Sequence, residues 1–303
     1  MIFNVSVVDF INIMIIAVGL GVCGLCLLQI AASIHLRKDV RRYFRIFFSM
    51  IALYISAHLA RQMMDGVAGN GVRVALMILT TTEMITAGLM THMMSLLILS
   101  VAKAEKATTR FGLILFAFLV AHVAIIAVGI PFDLIFHFDA ANHYHRSAAY
   151  LLSNLPPVLM MAVDVWLLIR YRRNVDVHVK SALWLYIVAP VVAIIVQGIF
   201  YGIQFIIFAT VGSAVYMFAV IMQLLNEEYE KQRRENYRIE SELNLATRIQ
   251  ADMIPNIYPA FPDRSEFDIF ATMDPAKEVG GDFFDFFLVD PDHLCMVMAV
   301  VSG

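Results

Sequence analysis

The sequence predicts a mainly α-helical membrane protein. It comprises a bundle of seven transmembrane helices, a cytoplasmic linker helix with coiled-coil character, and the truncated start of an α/β domain. Three observations lead there. Of 303 residues, 60% are hydrophobic and only 16% charged, against roughly 45–50% and about 25% in soluble domains. The charge is divided: residues 1–225 hold 15 Lys and Arg against 9 Asp and Glu, whereas residues 226–303 hold 7 against 16. Apolar runs long enough to cross a hydrocarbon core of ~30 Å recur only in the first part. A basic, apolar body that meets membrane lipid and an acidic appendage follow. With no basic stripe interleaved with aromatics, nucleic acid is not an expected partner.

The spans are read at 7–34, 44–64, 72–101, 111–130, 148–169, 181–200 and 205–225. The last two come from one nearly continuous apolar stretch, 183–225, which as a single helix would run roughly 65 Å, about twice the core thickness. It must fold back, and Gln197, Gly198, Gly202 and Gln204 mark the expected turn. Positive charge then sets the orientation. The first connection holds Arg37, Lys38, Arg41, Arg42 and Arg45, the third Lys103, Lys106 and Arg110, the fifth Arg170, Arg172, Arg173 and Lys180. The opposite side holds only Arg61, Arg73 and Arg146. The expected topology is a multi-pass cell-membrane protein with its N-terminus outside and its tail in the cytoplasm. Nothing basic precedes Ile11 and the first apolar run is too long for an h-region, so no cleaved signal peptide is expected.

Within the spans, His58, Glu83, His92, His122 and Asp164 are ionisable groups at or near membrane depth, where functional roles are the default. Interhelical hydrogen bonding is the expectation for them, with Asp164 also within snorkelling reach of Arg170. Cys23 and Cys26 form a CxxC inside an apolar run, where lipid disfavours a thiolate; plain helix packing is expected. The fourth connection, 131–147, gathers Asp133, His137, Asp139, His143 and His145. Such a cluster has the chemistry of a metal site or of a pH sensor, although a wetted polar loop is the expected state.

After Leu225 helix formers dominate until Pro255 stops them. Leu225, Tyr229, Gln232, Asn236, Ile239, Leu243, Ala246, Gln250 and Met253 recur at alternating spacings of four and three, a heptad seam that is polar at three positions. A weak parallel coiled coil joining two copies of the chain is expected over 226–254. A different fold then begins, read over 255–303. Residues 266–273 alternate as a strand, 283–289 form a second, Asp290 to His293 a turn, and 294–301 a third, continuous and therefore expected to be buried. The residues after Pro255 are too few to close a stable sheet domain, so a domain interrupted in mid-fold is expected.

Ala246, Ile249, Gln250 and Pro255 fit A-x-x-I-Q-x-x-x-x-P, and Pro275, Ala276, Glu278, Val279, Gly280, Gly281, Asp282 and Asp285 fit P-A-x-E-V-G-G-D-F/Y-x-D. Two ordered motifs at this separation resemble the start of the bacterial PP2C-type serine/threonine phosphatase domain, in the branch of stage II sporulation protein E and the phosphatases that regulate sigma factors. The likeness covers 246–303 and none of the membrane part, which is only loosely similar to seven-span sensory modules. The resemblance implies a membrane receptor controlling removal of phosphate from a protein serine or threonine. An anti-sigma-factor antagonist is one such phosphoprotein. It implies manganese or magnesium ions held by hard carboxylates, with Asp282 and Asp285 as the metal-binding residues present. Glu278 is expected to be a loop contact.

One departure is chemical. The strand that should end D-V-S-G reads Val300, Val301, Ser302, Gly303, and an isopropyl group cannot ligate a hard cation. The expectation is therefore a chain without phosphatase turnover as it stands, whose alternative role is that of a non-catalytic receptor or pseudophosphatase acting by binding, or of a sensor or transport protein. Gly280 to Phe284 is also similar to the GGDEF signature of diguanylate cyclases, but Phe283 stands where an acid belongs and too few residues precede it. The linker helix holds no histidine to accept phosphate, as a sensor kinase would require. Paired broken helices and internal repeats of a transporter are not found.

Overall fold

The computed structural model describes residues 7–33, 38–101, 105–200, 203–274 and 279–300. Pro275, Ala276 and Glu278 of the second motif, and Val301, Ser302 and Gly303, lie outside the described residues. The chain divides into two compact units, Met1–Gln223 and Leu224–Gly303.

Among the described residues, seven helices are long and apolar enough to cross a membrane: α1 (Val7–Ala32), α2 (Lys38–Met64), α3 (Asn70–Val101), α4 (Glu105–Gly129), α5 (Tyr150–Arg170), α6 (Val177–Ile199) and α7 (Phe205–Met253). The helices agree with the seven expected spans, and α6 breaks from α7 between 199 and 205, although Gln197 still belongs to α6. α2 starts six residues before its apolar run, at charged helix formers with Asp39 in the first turn, where an acid suits the helix dipole. Asp176 caps α6, its Oδ1 accepting from the His178 and Val179 amides.

Apolar side chains such as Leu25, Leu28, Val128 and Ile195 point outwards, as lipid-facing positions must where no water competes. Inwards, Phe44, Phe47 and Phe48 of α2 are fully buried, with Phe218 of α7 edge-on to Phe44 and Phe48 at 5.0 and 5.4 Å. Gly19 brings α1 close to α2 and α7, since a Cβ there would meet Ile55 at 3.4 Å and Val211 at 3.5 Å. Thr80, Thr81, Thr82 and Thr86 each return their hydroxyl to the carbonyl four residues back, which satisfies them without a partner helix.

The fourth connection keeps its His and Asp side chains wetted, as expected, but is an ordered hairpin and not an irregular loop. A short 3-10 turn, Ile130–Phe132, leads into a hairpin of β1 (Phe136–Phe138) and β2 (Tyr144–Arg146), antiparallel with His137 opposite His145. Phe136 and Phe138 are buried with Ile135 and Leu76 of α3, so alternation in Phe-His-Phe turns one face into the bundle and leaves the histidines on the other.

In the second unit, β3 (Asp282–Asp290) and β4 (His293–Val300) form an antiparallel pair around the turn at 291–292. Two expectations are corrected. Residues 266–273 form no strand; among the described residues they have no ladder partner and are held by side chains instead. Tyr258 donates to the Ala271 carbonyl (2.6 Å) and its oxygen accepts the Ala271 amide (3.2 Å), while Phe261 packs on Phe267 and Phe286. The last strand is not buried either: Met296 is 69%, Met298 89% and Val300 74% exposed. Leu294, Cys295, Val297 and Ala299 are half-buried, so the two-stranded sheet leaves the strand only partly covered.

Candidate functional site

Two polar sites stand out, one in each unit. In the membrane unit, Glu83 of α3 accepts from Arg61 Nε at 2.7 Å and from His58 Nδ1 at 3.1 Å, both on α2. Arg61 and Glu83 are 18% and 12% exposed. Tyr54 stacks on His58, and the ring of Tyr144, from the hairpin, lies 5.3 Å from the Arg61 guanidinium carbon. The pairing follows from spacing: residues 54, 58 and 61 share one face of α2 at i, i+4 and i+7. Sequence reasoning named His58 and Glu83 as separate groups; it missed Arg61 as their partner, although an arginine three residues after a histidine on a helix was the available signal.

Deeper in the same unit, His122 of α4 is 2% exposed. Its Nδ1 is 2.8 Å from the Ser153 carbonyl of α5 and its Nε2 3.0 Å from the Met84 carbonyl of α3. The Ser153 carbonyl has lost its helical donor, because residue 157 is proline and has no N–H. His122 Nδ1 stands where the missing donor would be, and Gly88 supplies the room, since a Cβ at Gly88 would collide with the imidazole. Asp164 is 1% exposed, with Oδ1 unpartnered among the described residues; Arg170 lies against Tyr171 instead of reaching it. Cys23 and Cys26 are buried free thiols in helix packing.

The second site is the tail. Gln250 in the last turn of α7 grips Gly280: its Nε2 donates to the Gly280 carbonyl (2.6 Å) and its Oε1 accepts the Gly280 amide (2.9 Å). The two sequence motifs, 30 residues apart, are joined by this amide clamp. The clamp also corrects the heptad seam, because a Gln250 side chain spent on Gly280 cannot face a second helix. A cleft of about 320 Å³ opens beside it, lined by Gln250, Ile254, Tyr258, Phe270 and Phe284 among others.

Asp282 begins β3 two residues after the clamp, and its ladder partner is Val300. Asp285 faces Val297, and three residues along a strand is the opposite face; its Oδ1 accepts its neighbour's amide, Phe286, at 2.8 Å. Asp282 and Asp285 are thus brought to one strand but not to one point. No group of three or more His, Cys, Asp or Glu able to hold a metal occurs among the described residues. The donors do not fit a manganese or magnesium centre: one carboxylate, with a valine in the place of its cross-strand companion, is too few for a hard cation.

No family model and no curated protein sequence matches the chain.

Replacing Gln250 with Leu removes both bonds to Gly280 and leaves two partly buried backbone groups unpaired, which costs about 1–3 kcal/mol. Amide exchange at Gly280 to Asp282 is expected to accelerate at least about tenfold. Unchanged exchange would show that the clamp does not hold the segment.

Proposed function

We propose that the chain is a membrane-bound signalling receptor whose cytoplasmic part descends from the PP2C-type protein serine/threonine phosphatases and works without turnover as it stands. The single observation that carries this reading is the Gln250 clamp. It joins the two segments that carry the resemblance, and delivers Gly281 and Asp282 next to the end of a helix that begins among the spans. In a complete family domain the manganese or magnesium ions would act on a phosphoprotein such as an anti-sigma-factor antagonist. Here Val300 opposite Asp282 favours the binding-only form of the same reading, a pseudophosphatase that recognises its phosphoprotein without hydrolysing it.

The orientation proposed is N-terminus outside and tail in the cytoplasm, from the distribution of Lys and Arg between connections. Reporter fusions after Asn142 and after Asn226 should report external and cytoplasmic positions respectively. The same side for both overturns the topology and with it the receptor reading.

A homodimer through the linker helix completes the proposal. Ile239, Leu243 and Met253 of the seam are 46%, 38% and 79% exposed in the single chain, a row of apolar side chains that a second copy would cover. With Gln250 withdrawn from the seam, pairing is centred on 229–246. Single cysteines at Ile239 or Leu243 should crosslink between copies severalfold faster than one at Glu240. Equal rates at all three would argue for an unpaired helix.

A further inference from the structure

We propose that the β1–β2 hairpin is a proton-operated cap over the Arg61–Glu83 pair, closed when His143 carries charge on Asp65 and loosened as it loses it. The proposal names the stimulus of the receptor and rests on that reading only for the side of the membrane that is sampled.

The hairpin is latched to the α2–α3 connection at its tip. Asp65 accepts twice, from the Tyr144 amide with Oδ1 and from His143 Nδ1 with Oδ2, both at 3.1 Å. Asn142 Nδ2 donates to the Val67 carbonyl at 2.8 Å, and the Gly66 amide donates to the Asn142 carbonyl at 3.2 Å. Gly66 has a φ of +74°, and a Cβ there would lie 2.6 Å from the His143 ring. The imidazole is therefore seated against bare backbone. Within the hairpin, Asp139 Oδ1 accepts the Ala141 and His143 amides at 2.9 Å each, and Oδ2 accepts His145 Nε2 at 3.2 Å. His137 stacks on His145 and contacts Ser147 Oγ.

Two histidines thus each face one carboxylate, at the two places where the hairpin closes on its neighbour and on itself. The remaining charges on the packed elements do not compete for either carboxylate. Arg73 donates to the Phe138 carbonyl, Arg146 lies over Tyr150, and Arg61 is held by Glu83. The hydrogen bond that His143 donates to the Asp65 carboxylate raises the pKa of His143 above its ordinary 6.5, and amide donation from His143 holds Asp139 below the ordinary carboxylate range. Burial pushes the Tyr144 phenol up to about 12, so it stays neutral.

The sign follows. A histidine raised by its partner contributes below its ordinary pKa and loses that contribution as pH rises through the raised value. The latch is complete in mild acid and weakened above neutrality. Asn142, Arg73 and the buried Phe136 and Phe138 persist, so the change is a loosening of the tip. Because Tyr144 lies between the two histidines in sequence and covers Arg61, the loosening reaches the Arg61–Glu83 pair through that ring.

The test is hydrogen exchange of the full chain in lipid nanodiscs, where both faces meet the buffer, over 65–69 and 138–146, corrected for the intrinsic rate at pH 5.5, 6.5, 7.5 and 8.5. Protection should fall about threefold or more between pH 6.5 and 8.5. Asp65→Asn and His143→Gln should each flatten most of that change, and the double variant Asp65→Asn with His143→Gln should abolish it. Exposed variants at the tip leave the bundle core intact, which protection of the α3 amides checks in the same data. Protection independent of pH in the unaltered chain, or pH dependence that survives in the double variant, overturns the proposal. So does acid protection that a chelator removes, which would mark a metal ion as the ligand. Failure here with correct reporter topology would remove the proton cap and leave the receptor reading standing; inverted topology with a working cap would do the reverse.

Discussion

Glu83→Gln is expected to destabilise the membrane unit by about 3–5 kcal/mol, the cost of leaving a largely buried Arg61 without its carboxylate. A neutral interhelical hydrogen bond in a bundle averages about 0.6 kcal/mol and rarely passes 2, so the size of the loss separates the two descriptions of this site. Three features place it in the larger class. Arg61 Nε meets Glu83 at 2.7 Å, the same carboxylate also takes the bond from His58, and the cation is covered by Tyr144. Reversible unfolding in detergent micelles measures the effect. The double variant Arg61→Met with Glu83→Gln removes both charges and should recover a large part of the loss, since replacement of both partners avoids the stranded charge. A single-variant loss below about 1 kcal/mol would mean that water already reaches the pair, and that the site is an ordinary wet helix contact.

The sequence made the helices legible because lipid imposes one period and one length on a spanning segment. The seven helices and the fold-back after α6 therefore follow from apolar runs and glycines alone. The hairpin was hidden because its two strands are three residues each, too short for alternation to outweigh the polar residues around it. Only Phe136 and Phe138 betray the buried face. The strand expected over 266–273 failed for the opposite reason. Its alternation is real, but a period says nothing about whether a ladder partner exists, and Tyr258 holds that segment through its hydroxyl instead. Gln250 reads as a polar lapse in the heptad and as part of A-x-x-I-Q-x-x-x-x-P, and neither pattern names its partner. Its actual partner lies 30 residues on, and no spacing rule reaches that far. Of the expected metal residues, Asp282 and Asp285 were identifiable by type, whereas their placement on opposite faces of β3 needed the strand's start and register.

Val300→Asp is expected to raise the affinity of the chain for manganese by at least about tenfold, and the register of β3 and β4 is the reason. Positions 282 and 300 are direct partners, and such side chains stand on one face with Cβ atoms about 4.5–5.5 Å apart. Without metal, V300D sets two carboxylates against each other, which is destabilising. A divalent cation reverses the sign, because hard oxygen donors from both strands can share it. Manganese should therefore stabilise the V300D tail in proportion to its occupancy and leave the unaltered tail unmoved. Calorimetric titration with manganese alone reads the affinity, and denaturation with and without the ion reads the linkage. V300D combined with Asp282→Asn should bind no better than the unaltered chain, whereas V300D combined with Asp285→Asn should keep the gain, since position 285 looks to the other face. A gain that depends on Asp285 and not on Asp282 would place the metal on the wrong side of the sheet for the proposed lineage. Hydrolysis of a phosphoserine protein is not expected from V300D, because two carboxylates fall short of the several that a two-metal site requires to hold both ions and the attacking water. Manganese-dependent hydrolysis by the unaltered chain, lost in Asp282→Asn, would overturn the reading in which Val300 has ended turnover.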